Sequence, residues 1–200
     1  MTSTAAEPLR LIVGLGNPGP QYRNTRHNAG ADFVEALAQH LNAPLTANAR
    51  HHGRLGEARV EDRKIRLLIP QTFMNCSGKS VASLAGFYRI PPPAMLVAHD
   101  ELDLPPGTAR LKFAGGHGGH QGLADIFAAL GNRRDCHRLR LGIGHPGAAQ
   151  QVVGYVLQKA PPTERQALAA SIDRALQIMP DCLHGRWQTA MQTLHSQTSP

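Results

Sequence analysis

The feature that most constrains the fold is a short apolar run that stops abruptly in a loop of glycines and prolines. The run is Leu11–Val13, and the loop that follows reads Gly-Leu-Gly-Asn-Pro-Gly-Pro through residue 20. A run this short predicts a buried β-strand that ends in a tight turn. Ligands of open α/β sheets bind in the crevice beyond the carboxyl ends of the strands, so we predict a functional site from Asn17 to Asn28. His27 is its leading candidate.

The loop also matches the Gly-x-Gly-x-x-Gly pattern of dinucleotide-binding folds, but the rest of that motif is missing. A dinucleotide site needs a helix that opens at the loop, so that free N–H groups meet the pyrophosphate. Pro18 and Pro20 remove two such donors, and helical periodicity resumes only near Gly30. The acidic residue about 20 positions on, Glu35, falls inside that helix instead of at the end of a second strand. The sequence therefore disfavours a nucleotide cofactor.

Length and composition fit one globular domain. The chain has 200 residues, of which 42% are hydrophobic, and this size suits a single core. We predict that residues 9–195 form the domain and that residues 1–8 and 196–200 are flexible tails. No apolar run approaches the ~20 residues that span a bilayer, and the amino terminus lacks the pattern of a signal peptide. We therefore expect a soluble protein of the cytoplasm that does not contact membranes.

Charge and cysteine content indicate the surroundings of the protein. The formal net charge is +7 without a long run of lysine or arginine. This favours a basic patch for a polyanion, with nucleic acid as the first candidate, although a merely basic surface is the open alternative. The three cysteines, Cys76, Cys136 and Cys182, are too far apart for a Cys-x-x-Cys motif. They are typical of a reducing compartment without a disulfide framework.

Apolar periodicity predicts strands and helices in alternation along the chain. The predicted strands are residues 11–13, 65–69, 95–99, 108–113 and 138–143. The predicted helices are residues 30–42, 78–88, 123–130, 163–179 and 185–195, with loop or edge strand at 45–63 and a short apolar segment at 152–157. Ser77 is expected to cap the second helix. Thr163 and Gln166 should form a capping box on the fourth, which Pro180 ends.

Two further polar side chains follow predicted strands. Asn75 comes after the strand at residues 65–69, just ahead of a helix, and Asp100 follows the strand at residues 95–99. Because ligand crevices lie beyond strand ends, Asp100 is well placed to face His27. Each residue has an ordinary alternative, since Asn and Asp in turns commonly hydrogen-bond the local backbone.

Histidines elsewhere raise the question of a metal site. Residues 115–122 are rich in glycine and contain His117 and His120, but no helix holds the two rings and no third ligand is in view. We interpret this segment as a loop that contacts substrate. His51 and His52 lack a carboxylate or thiolate at helical spacing, so the sequence predicts no metal ligand.

Basic residues alternate with apolar ones in two predicted strands. Arg138 and Arg140 share one strand face, and Arg110 and Lys112 point the same way from the strand at residues 108–113. Guanidinium groups at such positions match phosphate oxygens, although arginines on a strand are also commonly solvated residues without a ligand.

Six separated motifs, in their order along the chain, resemble the signatures of the bacterial-type peptidyl-tRNA hydrolases. They are residues 14–19 (GLGNPG), 25–30 (TRHNAG), 72–78 (TFMNCSG), 99–103 (HDELD), 116–120 (GHGGH) and 138–146 (RLRLGIGHP). The resemblance implies a single-domain α/β fold, a three-layer sandwich with a mixed, mostly parallel sheet between helices. It also implies a monomeric enzyme, without metal or cofactor, that hydrolyses the ester between the peptide and the 3′ ribose of tRNA in peptidyl-tRNA.

The family's functional residues carry over to matching positions of this chain. The resemblance implies that His27 is the catalytic base, that Asp100 is its partner, and that Asn17 and Asn75 position the substrate. It implies a cleft for the peptide and the tRNA 3′ end, lined by Tyr22, Met74 and His120, and a clamp for the tRNA 5′-phosphate made of Lys112 and Arg140. Many relatives have Asn where this chain has Gln121, which carries the same amide on a stem one methylene longer and is retained as a substrate contact.

The residue types themselves suit ester hydrolysis. Neutral imidazole titrates closest to neutral pH, and a carboxylate on its other ring nitrogen fixes the tautomer and stabilises the imidazolium that forms. No serine or cysteine lies in a nucleophile-elbow context, which favours direct attack by water over an acyl-enzyme. The Asn75 amide can donate to the tetrahedral oxyanion without repelling carboxylates.

Two other functions fit parts of the sequence. A non-catalytic RNA-binding module on the same fold would keep the basic face and would tolerate the loss of His27. A general esterase or aminopeptidase would act on small substrates and would not need the paired basic positions. The presence of His27, Asp100, Asn17 and Asn75 in one chain favours the hydrolase.

Overall fold

The fold is built on a seven-stranded sheet, seen in a computed structural model that describes residues 7–196. The strands are β1 (Leu11–Gly14), β2 (Thr46–Asn48), β3 (Gly53–Val60), β4 (Arg63–Pro70), β5 (Met95–Glu101), β6 (Ala109–Phe113) and β7 (His137–Gly142). The helices are α1 (Ala29–His40), α2 (Ser77–Tyr88), α3 (Gln121–Ala129), α4 (Val152–Leu157), α5 (Pro162–Gln177), α6 (Met179–Leu183) and α7 (Trp187–Ser196).

The strand order is β2-β3-β4-β1-β5-β7-β6. In the centre, β1 pairs in parallel with β4 and β5, and β5 pairs in parallel with β7. The outer strands β2, β3 and β6 join by antiparallel pairing. The predicted mixed, mostly parallel sheet is confirmed, and the carboxyl ends of its four central strands open at one edge.

Helices cover both faces of the sheet. Alternation along β1 places Ile12 in one core, with residues of α1, α5, α6 and α7, and Leu11 and Val13 in the other, with residues of α2 and α3. The predicted three-layer α/β sandwich is therefore confirmed. In a sheet buried on both faces the central strands are almost wholly apolar, which is why the positions of β1 and β5 were predictable.

Two glycines bring α1 against the sheet. A Cβ at Gly14 would collide with the carbonyl oxygen of Gly30, and a Cβ at Gly30 would collide with that of Ala98 in β5. Only glycine permits this approach of backbone to backbone. The turn ahead of α1, which carries His27, is consequently held over the ends of β1 and β5.

The predicted cap of α2 is wrong. Cys76 occupies the N-cap position without a side-chain hydrogen bond, and Ser77 is the first residue of the helix. The Ser77 hydroxyl instead donates to the Met74 carbonyl at 2.8 Å. This bond fastens the short 3-10 turn at Met74–Cys76 to the helix.

The predicted ends of the fourth helix are also wrong. Pro161 is the N-cap of α5 and makes no side-chain cap hydrogen bond, and Pro162 occupies the first turn, where its fixed φ is already suited to a helix. The helix ends at Gln177, and Pro180 lies in the first turn of α6 instead of terminating α5.

The predicted tails lie almost entirely outside the described residues. Of residues 1–8 and 196–200 the structure describes Glu7, Pro8 and Ser196, so the division into tails and domain stays a prediction. Across the described part of the chain, every helix is either too short or too polar to traverse a bilayer.

Candidate active site

A cleft of about 530 Å³ opens at the carboxyl ends of β1 and β5. Its walls come from the loop after β1, the turn before α1, the segment ahead of α2, the glycine-rich loop before α3, and α4. The predicted site residues that line it are Asn17, His27, Met74, Asn75, Asp100, His120 and Gln121. Residues about 100 positions apart therefore converge on one surface, as the positions of the strand ends predict.

His27 and Asp100 are in direct contact. The His27 Nδ1 lies 2.9 Å from Asp100 Oδ1 and 3.0 Å from Oδ2, so the ring donates its proton to the carboxylate. Asp100 is only 4% exposed. With Nδ1 engaged in this way, Nε2 is the ring nitrogen available to the cleft, where it can accept a proton.

The turn that holds His27 is anchored on both sides. Arg26, which precedes it, forms an ion pair with Glu164 at 2.8 Å and lies over the ring of Tyr155 at 4.0 Å. Asn28, which follows it, accepts from the backbone N–H of Asn17 at 2.8 Å and donates to its carbonyl at 3.1 Å. The His27 ring is thus positioned by neighbours whose side chains are fixed.

His120 is a second partner of the same carboxylate. Its Nε2 lies 2.9 Å from Asp100 Oδ1, and its Nδ1 accepts the backbone N–H of Leu123 at the start of α3. Because Nδ1 is an acceptor, the ring proton resides on Nε2 and is donated to Asp100. The resemblance implied only that His120 lines the cleft, and the structure adds this contact.

These contacts set the ionisation of the pair. Burial alone would raise the pKa of Asp100, but the two imidazole donors, His27 first, hold it well below its usual range. Burial alone would lower the pKa of His27, but the charge and hydrogen bond of Asp100 raise it above its ordinary value of 6.5. The site therefore holds a carboxylate kept ionised by its donors, next to an imidazole whose pKa that carboxylate raises.

A third imidazole lies behind the pair. His99 is fully buried, donates from Nδ1 to the Asp100 carbonyl at 2.7 Å, and has its ring 5.0 Å from that of His120. Burial, followed by the proximity of His120, lowers the pKa of His99 to about 3, so the ring is neutral. The sequence placed it only within the His-Asp-Glu motif, because nothing in the local pattern shows that it packs beneath His120.

The Asn17 side chain is oriented by a backbone group. Its Oδ1 accepts the N–H of Met74 at 2.8 Å, which identifies Nδ2 as the group left to donate elsewhere. Met74 is buried, and a Cβ added at Gly122 would come within 2.5 Å of its sulfur. Glycine at that position therefore lets the Met74 segment and the His120 loop meet closely.

The remaining predicted contacts differ in their placement. Asn75 and Gln121 are exposed side chains on the wall of the cleft. Tyr22 is not among the lining residues, and it packs edge-on against the exposed ring of Phe73 with the centroids 6.4 Å apart. The structure thus places Tyr22 beside Phe73 and not on the cleft wall itself.

His27, Asp100 and His120 also offer three potential metal-ligand atoms within 4.8 Å of one another. The expectation that no further ligand accompanies the glycine-rich loop is wrong for His120, which meets a carboxylate and an imidazole from distant segments. His117 lies outside this trio, and its Nδ1 accepts the N–H of Gly119. Within the trio, each imidazole donates a hydrogen bond to the Asp100 carboxylate, so the three side chains form one hydrogen-bond network.

The basic residues of β6 and β7 form a second feature. Antiparallel pairing sets Lys112 opposite Arg138 and Arg110 opposite Arg140, so the four side chains share one face. Lys112 is exposed. Arg140 is half-buried and forms an ion pair with Glu101 on the cleft wall, with Nε 2.8 Å from Oε2. Lys112 and Arg140 are diagonal neighbours, which suits two contacts to one phosphate.

Arg138 corrects the expectation of a solvated cationic strand. It is 3% exposed, and its guanidinium donates to the carbonyls of Ala114 and Gly116 at the start of the glycine-rich loop. Ala114 and Gly115 have positive φ, so the backbone turns sharply here. Arg138 therefore fixes the first half of the loop, while His120 fixes its end.

Helix α4 closes one side of the cleft and was missed by sequence reasoning. Val152, Val153, Val156 and Leu157 line the cleft, and Val153 is 69% exposed. The only sequence signal was a short apolar segment, which is too brief to distinguish a helix from a strand. An exposed apolar wall beside an imidazole and a carboxylate suits a substrate with an apolar portion.

Comparison with known proteins identifies the family. The sequence profile described as peptidyl-tRNA hydrolase matches residues 11–200. The chain belongs to the peptidyl-tRNA hydrolase family. A peptidyl-tRNA hydrolase of Pseudomonas paraeruginosa is 60% identical over 189 residues, covering 94% of this chain and 97% of the relative. One of Azotobacter vinelandii is 59% identical over 188 residues, with the same coverage.

Solved structures agree with this membership. The crystal structure of the peptidyl-tRNA hydrolase of Acinetobacter baumannii superposes with a TM-score of 0.90 at 48% identity, covering 93% of this chain and 94% of the other. The family profile spans residues 11–200, which include all the segments that form the cleft. The predicted family and fold are thus confirmed.

Proposed function

We propose that this chain hydrolyses the ester joining the peptide to the 3′ ribose of tRNA in peptidyl-tRNA, with His27 as the general base. The observation that carries the residue assignment is the donation of His27 Nδ1 to a buried carboxylate, which directs Nε2 toward the cleft. Membership of the peptidyl-tRNA hydrolase family supports the reaction and the substrate.

In the proposed reaction, water attacks the ester carbonyl carbon while His27 Nε2 takes the proton from that water. The imidazolium that forms is stabilised by the Asp100 carboxylate, which His120 holds in place. The tetrahedral intermediate then collapses, and the ribose oxygen leaves with the proton returned by His27. The products are a peptide carboxylate and a tRNA with a free 3′-terminal hydroxyl.

Two amides are proposed to assist. Asn75 is exposed on the cleft wall and can donate to the oxyanion. Asn17 is held by Met74 through its oxygen, so its Nδ2 donates to the substrate. Met74, His120 and Gln121 would contact the peptide or the 3′-terminal nucleotide, with Tyr22 and Phe73 next to the cleft forming an aromatic pair for the same end of the tRNA.

The tRNA 5′-phosphate is proposed to bind between Lys112 and Arg140. The supporting observation is that these cations lie diagonally across β6 and β7, one of them tied to the cleft residue Glu101. The net charge of +7 supports binding to a polyanion. We also propose that the protein works as a monomer in the cytoplasm, without a metal or cofactor.

The deciding experiment measures release of tRNA from N-acetyl-aminoacyl-tRNA, together with tRNA binding. His27→Ala should abolish most of the turnover and leave tRNA affinity nearly unchanged, since the imidazole acts on the water. His40→Ala, an exposed histidine at the end of α1, is the matched control. If the wild type binds tRNA and does not cleave the ester, the non-catalytic RNA-binding module becomes the better reading.

A further inference from the structure

The carboxyl-terminal helix makes a polar contact with the backbone of the strand that carries the phosphate-binding cations. His195, on α7, has its Nε2 3.0 Å from the backbone nitrogen of Leu111 in β6. The amide is the donor and the imidazole is the acceptor. Leu111 lies directly between Arg110 and Lys112, so the bond joins β6 at the centre of its basic segment.

The position of β6 explains why such a bond matters. It is the last strand of the sheet and pairs with β7 on one side only. The N–H of Leu111 points to the open side, where an edge strand otherwise leaves its backbone groups to water. The imidazole of His195 therefore takes the place that the carbonyl of another strand would occupy.

The strand has a reason to need fastening. Arg110 stands opposite Arg140, and Lys112 stands opposite Arg138, and like charges set directly across two strands repel each other. Glu101 pairs with Arg140 and offsets part of this repulsion, and the rest acts to separate β6 from β7 until a phosphate binds between Lys112 and Arg140. Helix α7 packs on β6, with Leu194 and Leu111 buried in the same core, and His195 adds a directional hydrogen bond that fixes the position of the strand relative to the helix.

We infer that His195 is a positioning residue for the 5′-phosphate clamp, because its hydrogen bond to Leu111 holds Lys112 where it can share one phosphate with Arg140. The inference rests on the proposed function of that clamp. It assigns His195 no contact with the reacting atoms, so its effect falls on phosphate-dependent binding and not on the chemical step.

The acceptor role fixes the state of the ring. Nε2 can accept only when the imidazole is neutral with its proton on Nδ1. Burial, and then the charges of Arg110 and Arg140, lower the pKa of His195, so the ring is neutral at physiological pH. A glutamine can place its Oε1 near the position of Nε2, whereas leucine fills the space and cannot accept.

The test compares His195→Leu and His195→Gln on two substrates, N-acetyl-aminoacyl-tRNA with its 5′-phosphate and the same tRNA after phosphatase treatment. His195→Leu should raise KM about fivefold or more for the phosphorylated substrate, the effect of losing one backbone hydrogen bond. It should leave kcat and the KM of the 5′-hydroxyl substrate unchanged. His195→Gln should behave like the wild type.

Three results would overturn the inference. They are equal KM changes on both substrates, a loss confined to kcat, and a His195→Gln variant as impaired as His195→Leu. Binding of the two deacylated tRNAs, measured in parallel, separates this inference from the proposed activity. Suppose that the wild type does not hydrolyse the ester. Tighter binding of the 5′-phosphorylated tRNA that His195→Leu abolishes and His195→Gln retains would still support the positioning role. Equal binding of the two tRNAs by the wild type would refute it.

Discussion

Asp100 and Asp32 are both largely buried carboxylates, and their pKa values shift in opposite directions. Asp100 receives hydrogen bonds from His27 and His120, and its pKa lies well below the usual range. Asp32, on α1, receives no hydrogen bond from residues 7–196, and burial raises its pKa to about 7, with Glu35 adding to the shift. Partners, and not burial, therefore decide whether a carboxylate in this protein is charged.

The surroundings of the two groups differ accordingly. Asp100 lies at the end of β5, where three chain segments bring polar donors together. Asp32 lines a cavity of about 150 Å³ whose other walls combine apolar residues of α5 and the end of β7 with the charged side chains of Arg26, Glu164 and Arg165. The neighbouring Arg26 is already paired with Glu164. The Asp100 carboxylate is held as an anion that can take part in the reaction. The ionisation of Asp32 lowers the free energy of unfolding as the pH rises.

The largest expected effect comes from removing the charge of Asp100. Asp100→Asn should lower kcat by about 10²–10⁴, because the amide can donate to His27 Nδ1 and so favour the tautomer that lacks a lone pair on Nε2. Hydrolysis of N-acetyl-aminoacyl-tRNA under saturating conditions measures it.

The matched control is Asp32→Asn, which should retain the kcat of the wild type. The pH profile adds a second check. Since Asp100 raises the pKa of His27 above 6.5, the wild-type kcat/KM should fall as pH drops below that raised value. In Asp100→Asn the acid limb should move to lower pH, and an unmoved limb would show that His27 is not the titrating base.

The second effect tests the other donor to Asp100. His120→Ala should lower kcat by about tenfold, since one hydrogen bond to a charged group is lost while His27 keeps its own. His120→Gln should recover part of this loss, because its amide can donate to the same oxygen. His117→Ala, in the same loop and outside the network, is the control, and an equal loss there would point to loop disorder as the cause.

The contrast also shows how far sequence reasoning reaches. Strands β1 and β5 were predictable because short apolar runs with sharp ends leave few other structures, and β7 was predictable because its apolar and basic residues alternate. The pairing of His27 with Asp100 followed from strand ends and from the family resemblance. The bond from His120 to Asp100 did not, since it depends on where a glycine-rich loop closes, and glycines leave that path undetermined.

Other features depended on packing between segments distant in sequence. Arg138 alternates with apolar residues like Arg140, yet it is buried because the loop at Ala114 folds back over it. Asp32 adjoins the apolar face of α1, and only the packing of α5 over that helix encloses it. Local periodicity predicts which face of a helix or strand a residue lies on. It does not predict which distant segment packs over that face.

The third effect concerns stability. Asp32 has a raised pKa in the folded state, so its folded form binds more protons than the unfolded chain between about pH 4 and 7, and stability falls as pH rises through that range. Asp32→Asn should abolish this fall and stabilise the protein by about 1–3 kcal/mol at pH 8, allowing for water at the cavity mouth. Urea unfolding at pH 4.5 and pH 8 measures the difference. Equal stabilisation at both pH values would show that Asp32 is not protonated at pH 4.5 in the folded state.

The smallest effect separates the two causes of the Asp32 shift. Burial is the larger cause and the Glu35 charge the smaller, so Glu35→Gln should lower the pKa of Asp32 only slightly. Glu35 is exposed and also pairs with Arg54 at 2.5 Å. Glu35→Gln should therefore change the free energy of unfolding at pH 8 by no more than about 0.5 kcal/mol. The informative quantity is the part of the pH slope of stability that Asp32 contributes, which is the slope lost in Asp32→Asn, and this part should become slightly smaller in Glu35→Gln. If Glu35→Gln removed as much of the slope as Asp32→Asn does, charge repulsion and not the missing hydrogen-bond donors would explain why Asp32 and Asp100 differ.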